Sequence, residues 1–172
     1  SKQAVVIFPS NNSYSSLNNL RGYILFSQCK NSDVVVEVKL SGLPEGVHGF
    51  HIHENYIKQE YLNDLKKGKI IKNLCDTLGG HFNPFNTNHG SYRYNTIRHA
   101  GDLINNLEVN KLGTIYITFI DPLISLDEKD ENCILNRSIV IHEKSDDEGL
   151  RGLQALRENR KLNKEEKESL KT

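Results

Sequence analysis

A chain of 172 residues with 22 basic and 22 acidic side chains carries no formal net charge. That balance argues against a nucleic-acid or polyanion surface as its main business. The length predicts one domain with a core of its own. No apolar stretch reaches membrane-spanning length, and Ser1-Lys2-Gln3 starts no basic-then-apolar leader, so a soluble chain without a membrane partner is expected.

The first 50 residues read as β-structure. Ala4-Val5-Val6-Ile7-Phe8 is a short β-branched run closed by the turn cluster Pro9-Ser10-Asn11-Asn12. Residues 20–28 form a second strand, and Asn31-Ser32-Asp33 turns the chain into a third over 34–40. After the loop Gly42-Leu43-Pro44-Glu45-Gly46, residues 47–53 make a fourth strand containing His51 and His53. Side chains repeat every two residues along a strand, so these two imidazoles share a face. On a rigid strand such a pair suits copper or zinc, although two hydrogen-bonded histidines on a half-buried strand would look the same.

The texture then changes. Tyr56, Ile57, Tyr61, Leu62 and Leu65 recur near helical spacing and predict a short amphipathic helix within 55–74. Residues 75–100 read as a long loop rich in Gly, Asn and His, a length that calls for a function or a staple. Coordination of a metal by the loop's own histidines would supply one. Strands are predicted over 102–108, 112–120 and 136–142, with an acidic loop at 121–131. Strands at this spacing indicate an antiparallel sandwich or barrel. Beyond Gly149, the residues Leu150, Leu153 and Leu156 lie on one possible helical face, followed by the charge-dense stretch 157–171, and the segment reads as a solvated, partly helical or disordered tail.

Cys29, Cys75 and Cys133 are far apart and form no C-x-x-C pair, which excludes a disulfide scaffold and a cysteine-rich zinc site. Cys29 and Cys133 are expected to be small buried hydrophobes. The remaining ligand candidates are His81 in Gly80-His81-Phe82-Asn83-Pro84, His89 in Asn88-His89-Gly90, His99 and Asp102 in Arg98-His99-Ala100-Gly101-Asp102, and His142 in Ile141-His142-Glu143-Lys144.

These segments, together with Gly46-Val47-His48-Gly49-Phe50-His51-Ile52-His53-Glu54 and Ile141-His142-Glu143-Lys144-Ser145-Asp146-Asp147, resemble the copper/zinc superoxide dismutases in their order along the chain. The resemblance implies an all-β, immunoglobulin-like Greek-key barrel with long metal-binding loops. Residues 1–149 would be the barrel domain, and 150–172 a charged loop or tail. It implies copper on His51, His53, His81 and His142, with zinc on His81, His89, His99 and Asp102, so that His81 bridges the two. The donor types fit, since imidazole suits both metals and three His with one carboxylate make a closed tetrahedral zinc site. Asp146 would accept hydrogen bonds from one copper and one zinc histidine. His48 matches a histidine that binds no metal.

By the same resemblance Ser169-Leu170-Lys171-Thr172 corresponds to the segment ahead of the family's last strand. Lys171 would match a lysine on the channel rim that guides the anion. The last strand brings an active-site arginine and the cysteine that pairs with the loop cysteine. Neither has a counterpart in this sequence, and Arg151, Arg157 and Arg160 match no family position. Cys75, the loop cysteine, is therefore expected as a free thiol, and the first and seventh strands as open edges. The implied activity is disproportionation of superoxide to oxygen and hydrogen peroxide in the cytoplasm, with copper cycling and zinc structural. Further expectations are a homodimer, although the 55–74 insertion lies where the family dimer touches, and a copper chaperone as supplier. The competing reading is a dismutase-like metal-binding protein without catalysis. An Asn-, Ile- and Lys-heavy composition fits an AT-rich genome such as that of a large DNA virus.

Overall fold

The computed structural model describes residues 1–94 and 97–172; Asn95 and Thr96, in the long loop predicted at 75–100, lie outside the described residues. Among the described residues there are seven strands: β1 (Lys2–Phe8), β2 (Arg21–Gln28), β3 (Val34–Ser41), β4 (Gly46–His53), β5 (Asn106–Val109), β6 (Thr114–Asp121) and β7 (Ser138–Ile141). They form two antiparallel sheets, one ordered β1-β2-β3-β6 and the other β5-β4-β7. The chain leaves β3, crosses to the second sheet for β4 and β5, and returns as β6 beside β3. That crossing is the Greek key, and the fold is the all-β barrel the sequence predicted.

Strict alternation makes the wall. In β3, Val34, Val36, Val38 and Leu40 are buried while Val35 and Lys39 face out. They pack with Ile24 and Phe26 of β2, Phe50 and Ile52 of β4, and Leu107 of β5. Each such side chain contributes about 1.5–3 kcal/mol by leaving water. β4 differs in being buried on both faces. Phe50 and Ile52 point into the core, while His51 and His53 point the other way and are covered by loops.

Among the described residues β1 pairs only with β2 and β7 only with β4, as expected for open edges. The expected helix in the insertion is α1 (Gln59–Lys66), held by buried Leu62. The loop after it contains one short turn of helix, α2 (Leu74–Thr77). Residues 102–108 are not strand from their start. A 3-10 turn spans Ala100–Asp102, and β5 begins at Asn106. Here the carboxylate of Asp102 accepts the His99 amide at 2.8 Å, which favours a turn over a ladder.

Of the remaining expectations, one needs correction and one is sharpened. Cys29 is exposed, because it follows β2 in the β2–β3 turn and not on a core-facing position; Cys133 alone is buried. Residues 150–172 take the helical alternative and form a packed hairpin, α3 (Leu150–Arg157) and α4 (Lys164–Ser169). Ala155 and Gly152 of α3 and Glu166 and Ser169 of α4 are buried between them.

Candidate metal centre

The register of β4 against β7 pairs Phe50 with Ile141 and His51 with Val140. His142 lies one residue beyond β7, and its amide donates to the Gly49 carbonyl at 2.7 Å. It therefore stands on the same face as His51 and His53. Gly49 makes the room: a Cβ there would sit 3.2 Å from His51 Cε1 and 3.3 Å from His142 Cδ2. Ligating atoms of His51, His53 and His142 all lie within 4.8 Å of one another.

A second group is assembled by the loop. Ligating atoms of His81, His89, His99 and Asp102 also lie within 4.8 Å of one another, and all four residues are buried. Nδ1 of His81 and of His89 are both 2.8 Å from Asp102 Oδ1, and Nδ1 of His99 is 3.3 Å away. Asp102 Oδ2 is occupied by the amides of His99 at 2.8 Å and Gly90 at 3.1 Å, so the backbone itself orients the carboxylate. The groups share a wall. The His81 ring stacks on His51 with centroids 4.0 Å apart and meets His53 at 5.1 Å.

Two outer ring nitrogens are hydrogen-bonded, those of His53 and His89. His53 Nδ1 lies 2.9 Å from the Gly79 carbonyl. Asp146 spans both groups, with Oδ2 3.1 Å from His51 Nε2 and Oδ1 2.7 Å from His89 Nε2. The inner nitrogens in the first group are not. His51 Nδ1, His53 Nε2 and His142 Nε2 are buried and make no hydrogen bond. A buried polar atom left without a partner costs about 1–3 kcal/mol. Three such lone pairs converging on one point fit a metal, and imidazole donors fit copper. The second group, three imidazoles and a carboxylate, fits the closed tetrahedral zinc set.

Protonation follows the same division. Burial lowers His51 and His53 to about 4, and burial with the neighbouring His81 lowers His142. Burial also acts against the His89 cation, but hydrogen bonds to Asp102 and Asp146 outweigh it and raise His89 to about 9. Burial opposes ionisation of Asp102 and Asp146 too. Hydrogen bonds from His81, His89 and His99 to Asp102, and from His51 and His89 to Asp146, nevertheless hold both carboxyls well below their usual range.

All seven predicted ligands thus come together, and Asp146 lies where it was expected. His48 stands apart, with both ring nitrogens 2.9 Å from carbonyls, those of His142 and Pro44. Cys75 is an exposed free thiol on α2. Lys171 is exposed beside Leu170, whose carbonyl accepts the His89 amide at 2.7 Å. Two supports escaped the sequence reading. Asn106 holds Asp146 through both ends of its amide, at 2.7 and 3.1 Å. Arg98, buried against Asp121 at 2.8 Å, donates to the carbonyls of His99 and Ala100. Asn106 is an ordinary strand residue in the sequence and gave no signal. Arg98 gave one, as an arginine adjoining a ligand.

Residues 20–165 match the family model of copper/zinc superoxide dismutase. The chain is 40% identical over 138 residues to the extracellular copper/zinc superoxide dismutase of Drosophila melanogaster, covering 79% of this chain and 66% of that protein. It is 41% identical over 134 residues to copper/zinc superoxide dismutase A of Xenopus laevis, covering 78% and 77%. Among solved structures, that of the clock protein EA4 is similar at a TM-score of 0.61 and 35% identity, covering 78% of this chain and 74% of that one. The chain belongs to the copper/zinc superoxide dismutase family. Its class is that of oxidoreductases that bind copper and zinc, and the non-catalytic alternative is not favoured.

Proposed function

We infer that this chain disproportionates superoxide, with copper held by His51, His53, His142 and His81 and zinc by His81, His89, His99 and Asp102. The observation that carries this is the set of three buried, unpartnered ring nitrogens beside the stacked His81 ring. Copper, when bound there, supplies a one-electron couple that superoxide can both reduce and reoxidise. The protein's part is positional. Strands β4 and β7 fix three imidazoles in place before any metal arrives, which lowers the cost of binding. His81 has one nitrogen committed to the Asp102 group, leaving the other to hold a proton and give it up beside the copper group. Asp146 keeps the His51 and His89 rings in fixed orientation.

Lys171 is part of this reading as the cation that draws the anion in. It lies with Lys164 and Lys167 along a groove of about 520 Å³ that also touches Asn88, the neighbour of His89. The cytoplasm is the compartment we assign, supported by three free thiols, two of them exposed. A homodimer and a copper chaperone complete the reading. Exposed Val5 and Ile7 on β1 support the dimer by offering apolar area.

The test is to reconstitute the full chain with zinc and copper, count both metals, and follow superoxide decay after pulse radiolysis. Catalytic decay that tracks copper content supports the reading. Full occupancy of both metals without catalysis would reject it.

A further inference from the structure

The α3–α4 hairpin is held by a deep ion pair, Arg160 with Glu166, and an exposed one, Arg151 with Glu165 at 3.4 Å, and it reaches the metal centre. Arg160 Nη1 and Nη2 donate to Glu166 Oε1 and Oε2 at 2.9 and 2.6 Å, and Glu166 is only 3% exposed. The same carboxylate starts α4, since Oε1 accepts the Asn163 amide at 3.0 Å while Asn163 Oδ1 accepts the Glu166 amide at 2.8 Å. The helices approach closely at Gly152, where a Cβ would lie 2.4 Å from Leu170 Cγ and 2.6 Å from the Glu166 carbonyl oxygen. From there α4 touches the centre along two lines. The Leu170 carbonyl accepts the His89 amide at 2.7 Å. Ser169 Oγ accepts from the Gly152 amide at 3.0 Å and donates to Asp147 Oδ2 at 2.5 Å, next in sequence to the carboxylate that orients His51 and His89.

We propose that the hairpin is a strut that fixes His89 for zinc, with Arg160 as a positioning residue acting through Glu166 and α4. The inference rests on the zinc assignment of the loop group. Its physical basis is that the His89 ring is set by Asp102 and Asp146, but its backbone is set by Leu170. A carboxylate buried as deeply as Glu166 stays in place only while a partner neutralises it, and the bidentate guanidinium does so with one geometry. Removing the arginine leaves that charge unpaired. The carboxylate then seeks water, α4 moves with it, and Leu170 is drawn off His89.

Three variants of the full chain test this: Arg160→Gln, Arg160→Lys and Gly152→Ala. The last wedges α4 away from α3 without removing a charge. Two quantities are read, hydrogen exchange at the His89 amide and the rate at which a chelator strips zinc. The expected result for Arg160→Gln is faster His89 exchange with zinc release roughly tenfold faster, the usual scale for losing a group that orients a ligand. Gly152→Ala should move both in the same direction, Arg160→Lys should fall between, and the Val36 and Val38 amides of β3 should stay protected. The proposal is overturned if His89 loses protection while zinc release is unchanged, if neither quantity moves, or if the barrel amides open to the same degree. A wild-type chain that takes up no zinc would reject the zinc assignment and this proposal with it, whereas normal wild-type uptake with unaltered variants would reject the proposal alone.

Discussion

His81, His89 and His99 surround a fully buried carboxylate, whereas His51, His53 and His142 face one another with no acid among them. The first group comes from a single loop and carries negative charge, so it seeks a proton or a dication. The second comes from two strands and rejects protons, so its lone pairs stay available for a metal that prefers nitrogen. One barrel wall thus presents two sites of opposite electrostatic character, joined by His81 and Asp146. Selectivity between the metals follows from this contrast and can be tested by breaking each side.

The largest effect is expected from His142→Ala. It removes one of three imidazoles from the acid-free group and takes no ligand from the other. Dismutation should fall to background with copper lost, while zinc stays near full occupancy, as metal analysis of the purified variant would show. Loss of both metals would mean the groups are not separable. Asp102→Asn breaks the other side by taking the charge from the zinc group. Its zinc affinity should fall by more than the roughly 100-fold typical of lost supporting groups, because a direct ligand is weakened. Competition against a chelator measures this. Asp146→Asn acts on both groups at once and should weaken each by about 10–100-fold.

How much of this could be read from the sequence depended on the kind of contact. The ligands were legible because each is a histidine or aspartate in a distinctive local setting, and His51 and His53 follow directly from the period of a strand. β3 was legible from its valine alternation. Asn106 was not, since its bond to Asp146 joins positions 40 residues apart and any polar strand residue would look the same. The Gly79 and Leu170 carbonyls could not be found, because a backbone acceptor has no residue identity. α4 is a different case. Its capping box, Asn163 with Glu166 three residues on, was present in the sequence, but the surrounding charge obscured it.

The metal-free protein should also show the contrast in its pH profile. His51 and His53 titrate near 4 when folded and about 6.5 when unfolded, so the unfolded chain takes up protons first and stability falls as pH drops from 6.5 toward 4. His89 has the opposite sign. Its folded value is raised to about 9, so its contribution is complete below about 6.5 and is lost as pH rises through 9. The unfolding midpoint of the metal-free chain should peak near neutral pH and decline on both sides. Zinc should flatten the alkaline arm, because a dication then takes the place of the His89 proton. A metal-free profile that climbs steadily to pH 9 would contradict the His89 assignment.

The smallest effect concerns Lys171, which neither group needs for binding. It is exposed and makes no bond to a ligand side chain, so Lys171→Gln should leave both metals in place. What it removes is one positive charge from the groove shared with Lys164 and Lys167. A single exposed charge acts on an approaching anion over about a Debye length, roughly 10 Å at 0.1 M salt. The rate at low ionic strength should therefore drop roughly two- to threefold, with the variant and the parent converging as salt is added. Substituting Lys2, which lies at the start of β1 and pairs with Asp127, should change neither rate nor salt slope. Equal losses for the two substitutions would show that the rate responds to net charge alone. A loss confined to Lys171→Gln would place the anion's approach over the C-terminal hairpin, on the zinc side of the shared wall.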